Sequence, residues 1–99
     1  KKVFLVWYQG RHERSTDCKL MLSEWDLKGS WTTPRSIHNS FSKSDANAVI
    51  WDDNQGHMHL MFCTLYGEDW TDAKLFYKKS LDGGLTFETE RELHIKTFT

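Results

Sequence analysis

The chain has 99 residues, room for one small domain, and 14% of them are aromatic within a hydrophobic share of 38%, so large flat side chains do much of the burying. Lys and Arg number 13 against 14 Asp and Glu, a formal net charge of −1, which gives no basic surface for a nucleic acid or an acidic membrane. The longest apolar run, Val3-Phe4-Leu5-Val6-Trp7-Tyr8, is far too short to cross a bilayer; there is no signal-peptide or lipidation pattern, and a chain opening without Met reads as a piece of a longer polypeptide.

Aromatic and β-branched residues with a single proline predict strands, and no segment carries a 3.6-residue apolar period. In chain order, strands are expected over residues 3–9, 18–24, 30–37, 48–52, 57–65, 74–79 and 87–95. Asp26-Leu27-Lys28-Gly29, Asp53-Asn54-Gln55-Gly56 and the run Ser80-Leu81-Asp82-Gly83-Gly84-Leu85-Thr86-Phe87 supply tight turns. Residues 10–17, 38–47 and 67–72 are longer polar connections. Cys18 and Cys63 both lie in apolar strand-like runs and read as buried free thiols, with one bridge between them as the alternative.

The run 80–87 has a physical logic at each position. Asp82 can accept from backbone N–H groups a few residues on, Gly83 and Gly84 tolerate positive φ, Thr86 offers a hydroxyl to the turn, and Phe87 plugs an apolar gap. Ser23…Asp26…Gly29-Ser30-Trp31 is a looser version of the same pattern. Trp31 recurs as Phe87, Arg35 as Arg91, and Leu5-Val6-Trp7 as Leu60-Met61-Phe62, a period of about 56 residues that suits four strands with long loops. A β-sandwich would also show short, evenly spaced strands; the repeat favours a propeller.

The series Val6-Trp7-Tyr8-Gln9-Gly10, Gly29-Ser30-Trp31-Thr32-Thr33-Pro34, Asn47-Ala48-Val49-Ile50, Gly56-His57-Met58-His59-Leu60 and Ser80…Phe87 resembles the BNR/Asp-box repeat family of sialidase-like β-propellers over nearly the whole chain. The resemblance implies an all-β fold of antiparallel four-stranded blades belonging to a partial, six-bladed propeller. Residues 1–37 would be the last three strands of one blade and 48–95 a complete blade, with Ser80, Asp82, Gly84, Thr86 and Phe87 as its structural Asp-box. Two blades cannot close a ring, so the remaining blades of a parent chain, or further copies of this chain, are expected to cover the free faces.

In such a propeller the Asp-box turns share one rim and the polar loops share the other, where the family holds its substrate. The resemblance implies a glycoside hydrolase acting on glycan termini, without metal or cofactor. Catalytic roles fall to Arg11, Glu13 and Asp45, and substrate contacts to Asp17, Asn47, Asp69 and Trp70. Arg can clamp a carboxylate with two parallel hydrogen bonds, carboxyl groups move protons, and Trp can stack on a sugar. Each has a plainer reading: Arg11, Glu13 and Arg14 as a solvated loop, Asp45 and Asn47 as turn formers, Trp70 as a wedge between blades. His57, His59, Met61 and Cys63 alternate on one strand face and could ligate a soft metal, but mixed residues are ordinary on a covered strand. The functional alternatives are a non-catalytic carbohydrate- or protein-binding propeller fragment and a self-assembling structural fragment.

Overall fold

The computed structural model describes residues 3–12, 15–40, 43–66 and 73–94. Seven strands run in order: β1 (Val3–Gln9), β2 (Lys19–Trp25), β3 (Arg35–His38), β4 (Ser44–Asp52), β5 (Met58–Leu65), β6 (Ala73–Ser80) and β7 (Arg91–Leu93). They form two antiparallel meanders, β1-β2-β3 and β4-β5-β6-β7, with no helix among the described residues. The chain is therefore all-β. Every sheet neighbour is also a sequence neighbour, the topology that short turns impose.

Alternation decides which face is buried. Along β5, Met58, Leu60, Phe62 and Thr64 are buried while His59, Met61 and Cys63 are partly open. Leu60 and Phe62 meet Leu20 of β2, and Val6, Ile37, Ala48, Ile50, Phe76 and Phe87 pack around these three. The core thus lies between the sheets, with β4 seated against β1 and β2. The opposite faces stay open. Leu5 and Trp31 are exposed on the first sheet, Val49 and Trp51 on the second, where Val49 faces Met61 and Trp51 faces His59 across the ladder.

Three boundaries differ from the sequence reading. The strand expected over 30–37 shrinks to Arg35–His38, because Pro34 has no N–H for a ladder; upstream of it, Trp31 makes only an isolated bridge to Trp25. The strand expected over 87–95 is regular only over Arg91–Leu93; residue 95 lies outside the described residues. The strand expected to begin at 48 begins at Ser44, since a bulge between Ala46 and Val49 lets Ser44, Asp45 and Ala46 pair with Leu65, Thr64 and Cys63. Asn47 sits in that bulge at φ 53°, a conformation Asn tolerates better than most side chains. Both cysteines are free thiols, Cys18 buried and Cys63 half-buried.

Candidate functional site

The two ends of the stacked sheets differ in chemistry. At one end lie the turns β2–β3, β4–β5 and β6–β7, each anchored by an aspartate. Asp26 accepts from the Lys28 and Ser30 N–H groups at 2.7 and 3.1 Å, and Asp53 from those of Gln55 and His57 at 2.7 and 3.2 Å. Asp82 accepts from the Thr86 N–H at 2.9 Å, the Thr86 hydroxyl at 2.5 Å and the Ser80 hydroxyl at 2.8 Å. Those bonds, the Thr86 hydroxyl foremost, pull the Asp82 carboxyl down to about 2. Ser80 also accepts from the Gly84 N–H at 2.8 Å. A Cβ on Gly84, at φ 92°, would stand 2.9 Å from Met58 Sδ, so this position requires glycine. Phe87 then turns into the core. The motif is a structural clamp, and Arg35 of the first sheet reinforces it by donating to the carbonyls of Gly84 and Leu85, the latter at 3.1 Å.

The other end carries the polar loops. Asp17 gathers Arg11 twice, through its backbone N–H at 3.1 Å and its Nε at 3.2 Å, and accepts from the Ser15 hydroxyl. The Ser15 bond first, then the Arg11 N–H, holds the Asp17 carboxyl below its ordinary value. The Arg11 side chain is 73% exposed, so the loop presents a guanidinium to solvent on a fixed base. Gly10 makes this folding possible: a Cβ there would meet Cys18 Sγ at 2.7 Å and Asp17 Oδ1 at 2.9 Å.

The start of β4 lies beside the end of this loop, where the Asp45 N–H donates to the Cys18 carbonyl at 3.2 Å. Asp45 is fully buried. Its oxygens accept from the Thr64 hydroxyl and the Ser40 N–H, each at 2.7 Å. Asp45 Oδ1 also lies 4.0 Å from His38 Nε2. His38 has its Nε2 2.9 Å from the Ser40 hydroxyl, and its Nδ1 accepts from Lys78 Nζ at 3.2 Å. Burial pushes the His38 imidazole and the Lys78 ammonium below their ordinary values; the Asp45 charge opposes this for His38, and the Glu90 and Asp45 charges oppose it for Lys78. The imidazole is thus neutral, and the lysine caps it across the interface between the sheets.

Of the residues singled out from sequence, Arg11 and Asp17 are joined directly, Asp45 lies beneath the same rim, and Asn47 is exposed at the bulge. Glu13, Asp69 and Trp70, with Arg14, lie outside the described residues. Sequence reasoning missed His38, Thr64 and Lys78. Each comes from a different strand, and no spacing links them; a polar residue in the buried phase of β5, Thr64, is the one signal that a buried partner was needed. Among the described residues no group of three His, Cys, Asp or Glu is placed to hold a metal ion. Instead, the His59 of the alternating run uses its ring nitrogens on Asp53 and Tyr77.

A family model described as a BNR repeat-like domain matches residues 1–99. Comparison with curated proteins and with solved structures finds no match.

Proposed function

The chain belongs to the BNR repeat-like family, and we propose that its two sheets are consecutive blades of a sialidase-like propeller that hydrolyses glycan termini. The observation that carries this reading is the division of labour between the ends. Asp-anchored turns close one rim, and a folded loop on the other fixes an exposed Arg11 against Asp17. An arginine pinned through Nε keeps both terminal nitrogens free for a substrate carboxylate. In this reading Arg11 clamps the sugar acid and the Glu13 carboxyl moves the proton. Asp45 steadies the link through Ser40 and Thr64, and Asn47, Asp69 and Trp70 line the substrate. The open faces bearing Leu5 and Trp31, and Val49 and Trp51, are where further blades or copies of the chain pack.

The test is turnover of a fluorogenic sialoside and of a panel of neutral glycosides. Turnover should fall about 100-fold or more in Glu13→Gln, and Arg11→Ala should abolish the preference for an acidic sugar. A second reading, a non-catalytic carbohydrate-binding propeller, draws on the burial of Asp45, whose two oxygens are already occupied. Glycan binding without turnover of any glycoside would select that reading.

A further inference from the structure

The Asp-turn of the second sheet is seated on the first sheet by a row of residues that the second sheet repeats. In the first sheet the ladder aligns Val6, Leu22 and Arg35 across β1, β2 and β3. In the second it aligns Met61, Tyr77 and Arg91 across β5, β6 and β7. Arg35 and Arg91 thus hold the same place in their sheets. On the first sheet the row faces the second, and Arg35 donates to the Gly84 and Leu85 carbonyls of its turn. Leu22 lies beneath that turn: a Cβ on Gly84 would stand 3.8 Å from Leu22 Cδ2. On the second sheet the row faces away from the first, because Phe76, the neighbour of Tyr77, points into the core. The match extends to the walls. The gap where Gly83 and Leu85 meet the first sheet has Leu22, Glu24, Thr32, Thr33 and Arg35 among its lining residues. Beside Arg91 is a cleft of about 410 Å³ lined by Tyr77, Lys79, Glu88, Thr89 and Arg91. Each of these five follows its counterpart in the first set by about 55 or 56 residues.

We infer that this cleft is the socket for the Asp-anchored turn of a following blade, one with glycine in the place of Gly84. Arg91 donates there to two consecutive carbonyls, as Arg35 does to those of Gly84 and Leu85. The chemistry suits that guest. A turn closed on its own aspartate leaves backbone carbonyls in need of donors, and a guanidinium presents several in one plane. Arg91 is already held 5.4 Å over the Tyr77 ring, and Lys79, where the first sheet has Glu24, adds a second cation for the carbonyls and the aspartate. The first-sheet turn of a second copy suits it less. That turn carries Lys28 in the place of Gly84, a side chain where the glycine has none and a cation beside Lys79 and Arg91. The socket rests on the proposed reading of the two sheets as consecutive blades, not on hydrolysis, so turn binding and sialoside turnover can fail separately.

A peptide carrying the sequence Ser80–Phe87, cyclised by a disulfide between two added cysteines, is titrated into the isotope-labelled 99-residue chain and followed by NMR. The Arg91 Nε and Tyr77 ring signals should move saturably. Those of Leu22 and Arg35 should stay, because their socket already holds the chain's own turn. Arg91 is exposed, so Arg91→Met keeps the fold, and it should weaken peptide binding about tenfold or more through loss of two charge-assisted hydrogen bonds. The Asp82→Asn peptide, which lacks the acceptor that closes the turn, should bind more weakly by a similar factor. Arg91 and Tyr77 signals that stay fixed at millimolar peptide, or binding that Arg91→Met leaves unchanged, overturn the socket. Sedimentation of the 99-residue chain covers the other occupant: self-association that Arg91→Met abolishes would give the cleft to a second copy and overturn its assignment to a following blade.

Discussion

Ser15-Thr16-Asp17 and Ser80-Leu81-Asp82 begin alike: in each, the serine hydroxyl donates to the aspartate Oδ1. They diverge in where the remaining carboxylate capacity goes. Asp82 spends it forward on Thr86, closing a turn on itself. Asp17 spends it backward on Arg11, holding a long cation at the surface. The same three-residue geometry thus makes a rivet at one end of the sheets and a presentation device at the other. What distinguishes them is the residue that returns to the carboxylate, a short hydroxyl or a guanidinium.

The sharpest way to break this contrast is Gly84→Ala. Strain at φ 92° and a Cβ 2.9 Å from Met58 Sδ should cost about 2–3 kcal/mol, read by urea denaturation. A variant as stable as the parent would mean the turn is not a clamp. Next is Arg35→Met, which removes the donors to the Gly84 and Leu85 carbonyls and should cost about 1 kcal/mol while leaving the Arg11–Asp17 pair intact by NMR.

Acid sharpens the comparison further. The Asp82 and Asp53 carboxyls are depressed in the folded chain from 3.8 to about 2. A depressed folded value means their stabilisation is complete above the unfolded value of 3.8 and is lost as pH falls from there through about 2. Thermal midpoints measured from pH 5 to 2 should fall across that window, and Asp82→Asn should flatten the slope. His38 is also held below its ordinary 6.5 by burial. Stability it contributes as the neutral ring is full above 6.5 and declines as pH drops beneath it, so its imidazole NMR signals should titrate below that value. The smallest effect belongs to Asp17→Asn. It should shift the thermal midpoint less than Asp82→Asn does, yet broaden the Arg11 Nε resonance as the side chain comes loose.

Much of the fold is legible because local chemistry and tertiary burial agree. Asp and Gly mark the turns, and the apolar run within 57–65 marks the strand that carries Leu60 and Phe62 into the core. The reading fails where partners are remote. Ser44 to Asn47 looks like a polar loop, but Thr64 accommodates the Asp45 carboxylate across the sheet and draws those residues into β4. Residues 30–33 look like a strand, but the missing N–H of Pro34 and the early bridge at Trp31 end the ladder. For the candidate site, Arg11 and Asp17 are near enough in sequence to be read together. The contact of His38 with Lys78 spans 40 residues, and no local pattern encodes it.

The bulge at Asn47 has a consequence for how this sequence can change over time. It offsets the strand by one residue, so that Asp45 faces inward on one side of it and Ile50 on the other. Deleting Asn47 would erase the offset yet keep Asp45 opposite Thr64 and Ile50 opposite Leu60, because Asn47 is the residue that the partner strand does not match. A second deletion between Asp45 and Ile50 would instead turn one of them to the opposite face. The bulge thus leaves this strand room to lose one residue by drift, and no more.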